Sequence, residues 1–460
     1  MKNKFNAAIK IKGDLNDLST TSQACVIKKE PRKFTPLTNP VAMDHQKEKV
    51  TIATEDCLAC SGCVTSVDTV KSPNQSLDEL LSSLETGKEV IVSLSPQSRA
   101  SLAAHFGLSP LEVFRKVTTF FKSLGVKAVY DTSCSRDLSL IESFNEFFER
   151  YNGGSSESPF PMIASSCPSW IYDAEKLKMF NILPYISSVK SPQQAIGAII
   201  KHHVCPKLGI ELDKVFHLTI MPCHEKKVEA ARDDFIFSVE AQGDNASEQY
   251  FSEVDLVMTT EEVVNLIQLK AVDFKGLEES SLDKLLTNVD DEGYLYGVTG
   301  SSGGYAETIF RHAAKTIFGR HIEGPLNFKR KRNSDFQEVT LEVEGKTVLK
   351  VAVCYGSKNV STIVNNIKIG KCDYHFVEIM TCPGGCVNGS SQIKSSNNKN
   401  AKTLLESVEK VYMKDVLVAD PFENSLVKSI YDEWLERPGS EKAKKHIHTK
   451  YHPVANSLDW

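Results

Sequence analysis

The stretch Tyr374-His-Phe-Val-Glu-Ile-Met380-Thr-Cys382-Pro-Gly-Gly-Cys386-Val-Asn-Gly389 decides how the rest of the chain is read. Its first seven residues make a strand candidate, which ends in a turn bracketed by two cysteines. Proline fixes one backbone dihedral, and the paired glycines remove the Cβ atoms that would keep main-chain N–H groups away from an anion. Two thiols can then face one site.

The arrangement recurs upstream. A strand candidate at 161–164 runs into Ser165-Ser166-Cys167-Pro168-Ser169-Trp170, and one at 215–221 runs into Pro222-Cys223-His224-Glu225-Lys226-Lys227. Further candidates lie at 90–94, 126–130, 254–258 and 348–353, with helical spacings such as Leu111, Phe114, Val117 and Phe121 between them. Strands alternating with amphipathic helices predict an α/β fold with parallel sheets, in which loops leaving the carboxyl ends of strands build the crevice. Three such loops begin with cysteines. They make Cys167, Cys223, Cys382 and Cys386 a candidate set of four soft sulfur ligands, a donor type that suits iron–sulfur chemistry.

A second constellation is Cys57-Leu-Ala-Cys60-Ser-Gly-Cys63, whose C-x2-C-x2-C spacing opens the ferredoxin ligand run. Zinc is the competing metal. The fourth ferredoxin position falls on Val67, so Cys25 is the best remaining candidate. The first 85 or so residues show no sustained apolar pattern, and something other than core packing must order them. Cys134, Cys205, Cys354 and Cys372 lack paired spacing and are expected to be buried thiols. The histidines between His446 and His452 have no thiolate or acidic neighbour in sequence and are not expected to form a zinc site.

At 460 residues the chain calls for two or three domains. Hydrophobic residues at 41% and charged residues at 25% are ordinary globular values and argue against extensive disorder. The 54 basic against 59 acidic residues, net −5, give no general case for direct nucleic-acid binding. No apolar run approaches the roughly 20 residues of a membrane span, and the opening residues lack a secretory pattern. The twelve cysteines are therefore expected in a reducing compartment without a disulfide framework. The polar stretches 241–252 and 388–400 read as surface loops, and the basic run Lys329-Arg330-Lys331-Arg332 as a solvated one.

The settings S-S-C-P-S-W, M-P-C-H-E-K-K and E-I-M-T-C-P-G-G-C-V-N-G resemble the catalytic domain of iron-only hydrogenases. Thr299-Gly300-Ser301-Ser302-Gly303-Gly304 is similar to that family's Gly-rich loop, and residues 440–452 to its small-subunit region, so the resemblance covers about 88–452. It is closer to the non-hydrogenase branch, the nuclear prelamin A recognition factor-like proteins (Nar family) of cytosolic iron–sulfur assembly. Asp131-Thr-Ser-Cys-Ser-Arg-Asp-Leu-Ser-Leu looks like that branch. Ser166 stands where hydrogenases carry the thiol that relays protons to the diiron unit, and its hydroxyl is a poorer relay than a thiol of pKa about 8.5. Lys226 and Met380 remain at positions that line the diiron subsite.

The resemblance implies two doubly wound lobes of iron-only hydrogenase type (88–452, internal boundary near 210–225) around a buried cluster, after a small N-terminal cluster-binding segment (1–87). It implies two [4Fe-4S] clusters, one on Cys25, Cys57, Cys60 and Cys63 and one on Cys167, Cys223, Cys382 and Cys386. The expected role is a cytosolic assembly factor without hydrogenase activity, linking an upstream scaffold to the iron–sulfur targeting complex and recipient apoproteins, with the nucleus left open as a second compartment. The alternative is a redox enzyme or electron carrier. The tail 453–460 ends in Leu458-Asp459-Trp460, an apolar anchor beside two negative charges that suits capture in a partner's pocket, and resembles the endings of clients and adaptors of that targeting complex.

Overall fold

The computed structural model describes residues 73–153, 159–176, 180–240, 248–394 and 401–453. The fold grows from two sheets. In the first, Glu89–Leu94 lies between Ala128–Asp131 and Val215–Met221, and Leu256–Thr259 completes an all-parallel row of four. Side chains alternate across a strand, so Val90, Val92 and Leu94 enter one core while Ile91 enters another. Both faces are covered, which explains why these strands are apolar nearly throughout. Pro73–Glu85, Pro110–Ser123 and Thr260–Leu269 pack on one face; Pro192–Ile199, Ser425–Ile430 and Glu441–Ile447 pack on the other. Phe114, Phe120 and Phe121 are fully buried there, each worth about 2–3 kcal/mol of burial.

The second sheet runs in the order Met162–Ala164, Phe376–Met380, Lys346–Tyr355, Phe336–Val343 and Lys329–Arg330. The first three strands are parallel and the last two antiparallel. Val377 and Ile379 face Pro168–Glu175 and Ser357–Lys368, whereas Phe376 faces Tyr305–Thr316. The helix Ser133–Gly153 serves both sheets: Cys134, Leu138 and Ile141 enter a core of the first, and Leu140, Phe144 and Phe147 a core of the second. Two α/β layers thus share one helix. No helix of the described residues is long and apolar enough to cross a membrane.

Several local expectations change. Strands expected from residues 126, 254 and 374 begin two residues later, because those openings are connecting chain. Phe336–Val343 was not legible: its buried residues fall at Phe336 and Val339, so it presents neither a continuous apolar run nor a period of two. Within the stretch expected to be loop at 241–252, Glu248–Ser252 is a strand paired with Ile236–Glu240; backbone pairing forms it, since its own side chains are exposed or half-buried. Lys329–Arg330, also expected as loop, is an exposed edge strand. Residues 388–392 are not surface. Ser391 and Gln392 are buried, and Gln392 donates to the Gln97 carbonyl and accepts from Thr260. The helix Pro73–Glu85 places Leu77, Leu80 and Leu84 against the first core, in a stretch with no readable core pattern.

The chain after 401 is fastened through Glu142. This fully buried carboxylate accepts hydrogen bonds from Tyr431 Oη, the Gly439 N–H and His448 Nε2, the last at 3.1 Å. His448 has an acidic partner after all, 306 positions away in sequence, and the contact is structural.

Candidate metal centre

Each expected thiol at the buried site sits at the carboxyl end of a strand. Cys167 caps the helix Pro168–Glu175; its N–H donates to Ser165 Oγ at 3.1 Å, while that hydroxyl donates to the Ile379 carbonyl at 2.6 Å. One serine therefore ties the first thiol loop to the strand that leads into Cys382 and Cys386. Cys223 follows Val215–Met221 and precedes the short helix Glu225–Ala230. Its loop is joined to the other by the His224 N–H on Ser390 Oγ at 3.2 Å and by Ser390 Oγ on Glu225 at 3.1 Å.

The two glycines between Cys382 and Cys386 both adopt positive φ, +69° and +77°. A Cβ on Gly385 would run into the hydroxyl of Ser302, which accepts the Cys386 N–H at 2.9 Å. Glycine is required here because a side chain from the Gly-rich loop fills the space. Tyr355 donates its hydroxyl to the buried Glu378 at 2.8 Å, and Glu378 also accepts the Ala306 N–H, fixing the strand below the turn.

Cys167, Cys223, Cys382 and Cys386 line one cavity of about 380 Å³, together with Ser166, Glu225, Lys226, Met380 and Thr381. Among the described residues, no three His, Cys, Asp or Glu side chains close around a point as they would for a single ion. Ser166 Oγ lies 3.9 Å from Met380 Sδ, and Cys386 Sγ lies 3.7 Å from the same sulfur. Lys226 does not offer an unpaired ammonium: it binds Glu229 at 2.7 Å and Ser191 at 3.0 Å.

Burial pushes the Cys386 thiol up to about 12, and the neighbouring Cys167 adds to the rise. Cys167 is raised by burial too. Cys223 is raised well above an ordinary thiol, first by burial, then by Glu225 and by Cys382, Cys167 and Cys386. Thiols so placed stay protonated unless positive charge enters among them. An iron–sulfur core supplies that charge at several irons, and the four-sulfur donor set and the shared cavity fit such a group.

Glu225, Ser302, Thr381, Gly389 and Ser390 were not singled out by spacing, because they come from three segments that meet only in the fold. The Gly-rich loop containing Ser302 was noticed through resemblance, without a role for the serine. His224 has a buried Nδ1 without a hydrogen-bond partner among the described residues, and burial lowers its pKa; it does not line the cavity. Cys134, Cys205 and Cys354 are buried and Cys372 half-buried. Cys25, Cys57, Cys60 and Cys63, and the tail residues Leu458, Asp459 and Trp460, lie outside the described residues.

Residues 88–390 match the family described as "Iron only hydrogenase large subunit, C-terminal domain", and residues 401–454 match "Iron hydrogenase small subunit". Protein NAR1 of Arabidopsis thaliana is 57% identical over 472 residues, covering 100% of this chain and 98% of that protein. Cytosolic iron-sulfur assembly component 3 of Mus musculus is 40% identical over 478 residues, covering 99% and 98%. Among solved structures, a variant of [FeFe]-hydrogenase HydA1 from Chlamydomonas reinhardtii superposes with a TM-score of 0.70 at 26% identity, covering 82% of this chain and 99% of that one.

Proposed function

This chain belongs to the iron-only hydrogenase family, with NAR1 and cytosolic iron-sulfur assembly component 3 among its relatives, and we propose that it acts in cytosolic iron–sulfur protein assembly without evolving hydrogen. The observation that carries the reading is the convergence of Cys167, Cys223, Cys382 and Cys386 on one cavity, each at the carboxyl end of a strand.

In this reading those four cysteines hold a resident [4Fe-4S] cluster, and Cys25, Cys57, Cys60 and Cys63 hold a second one that is handed on as cargo. A bound cluster supplies one-electron chemistry and a structural cross-link between loops. The chain's own residues do the rest. Ser165 and Ser390 hold the thiol loops in register, and Glu229 pairs with Lys226. Ser166 leaves the cavity without the acidic thiol needed to relay protons near neutral pH, which supports an assembly role over hydrogen turnover. The N-terminal cluster is the one assigned to transfer, because thiolates reachable by a recipient's thiols permit ligand exchange.

The protein would work in the cytosol, between a scaffold that loads it and a targeting complex that docks Leu458, Asp459 and Trp460. Hydrogen-evolution assays under strong reductant, with an infrared search for CO and CN− bands, test the reading. Iron and sulfide without hydrogen or diatomic-ligand bands are expected; a diiron signature would restore the redox-enzyme alternative.

A further inference from the structure

We propose that Thr381 is a positioning residue for the inner cluster: its hydroxyl donates a hydrogen bond to the sulfur of Cys167 and raises the reduction potential of the group that Cys167 ligates. The inference deepens the assembly reading and rests on it.

Thr381 Oγ1 lies 3.1 Å from Cys167 Sγ, and both residues are buried, at 6% and 9% exposure. In the free thiol either atom can be the donor. A sulfur bound to iron has no proton, so binding leaves the hydroxyl as the sole donor of the pair. Among the described residues that sulfur is the hydroxyl's partner. The position is fixed from both sides. Thr381 follows directly on Phe376–Met380, whose last carbonyl is held by the Gly356 N–H, and its β-branched side chain has restricted rotamers.

Cys167 is favoured in one further respect. It caps the N-terminus of an eight-residue helix, whose dipole favours negative charge on the sulfur. Hydrogen bonds to ligand sulfur stabilise the more electron-rich, reduced state, which makes Thr381 a determinant of potential.

The test uses full-length protein, purified and reconstituted without oxygen, as wild type, Thr381→Val, Thr381→Ala and Thr381→Ser. The inner cluster's signals are those that Cys386→Ala removes. Redox titration followed by electron paramagnetic resonance should show a midpoint shifted negative in the Val variant. Resonance Raman should show its Fe–S(Cys) stretches moved to higher frequency, and Ser should restore both. Val and Ala failing to load while Ser loads also supports the role. Wild-type potential and bands in Val overturn it, as does a Ser variant that behaves like Val or does not load. If wild type carries no inner cluster, the assembly reading falls with it; a cluster indifferent to residue 381 sinks this inference alone.

Discussion

Gly389 rests on the main chain of Pro222: a Cβ at 389 would overlap the Pro222 carbonyl oxygen and lie 2.9 Å from its carbon. Pro222 immediately precedes Cys223, and Gly389 follows Cys386 by three residues, so this contact sets the spacing of two thiol-bearing loops. The Ser391 N–H donates to the same carbonyl at 3.1 Å. Backbone cannot retreat as a side-chain tip can. Gly389→Ala should therefore cost about 1–3 kcal/mol by forcing the loops apart, and lower the iron retained by the inner site. Anaerobic denaturant titration and iron analysis check this; unchanged stability with full iron would show that the contact is dispensable.

Glu142 is expected to hold the C-terminal region in place. In Glu142→Ala the hydroxyl of Tyr431, the N–H of Gly439 and the ring of His448 lose their shared acceptor. Leaving buried donors unpaired costs about 2–4 kcal/mol at such a site. Hydrogen exchange should quicken across residues 431–448 while Glu89–Leu94 stays protected. Uniform protection in the variant would refute the assignment.

Acid should destabilise the fold through His217. The ring is fully buried, donates Nδ1–H to the Glu253 carbonyl and accepts from Ser93 through Nε2. Burial lowers its pKa from 6.5 to about 4. Between those values the unfolded chain takes up a proton that the native ring refuses, so stability falls as pH drops from 6.5 towards 4. This group alone accounts for about 3 kcal/mol of the fall. Burial lowers His202 to about 3 and His446 to about 4, with the same sign. The pH slope of unfolding free energy should be shallower in His217→Gln; an unchanged slope would exclude His217 as a source.

Removing Leu458, Asp459 and Trp460 should weaken capture by the targeting complex and leave iron content alone. Pull-down with purified complex, compared with iron analysis of the same preparations, separates the two effects. Undiminished capture would remove the docking role of the tail.

How much of this could be read in advance depended on sequence distance. The parallel strands were legible because burial on both faces makes them apolar runs, as in Val215–Met221, where every residue is buried. The four thiols were legible because each follows such a run. Phe336–Val343 was missed because only two of its eight residues are buried. Ser302 and Gly389 were missed because their partners, Cys386 and Pro222, come from segments 84 and 167 positions away, and nothing local to a serine or glycine records such a neighbour. Polar residues 391 and 392 looked like loop because sequence reading assigns polarity to the surface, and the partners of Gln392 that reverse that assignment lie on other segments.

Mössbauer spectroscopy with iron and sulfide quantification, on anaerobically purified wild type and Cys386→Ala, tests the central claim most directly. Wild type is expected to hold [4Fe-4S]-type iron, and the variant to lose about half of it. Zinc in place of iron, or an iron content indifferent to Cys386, would contradict it.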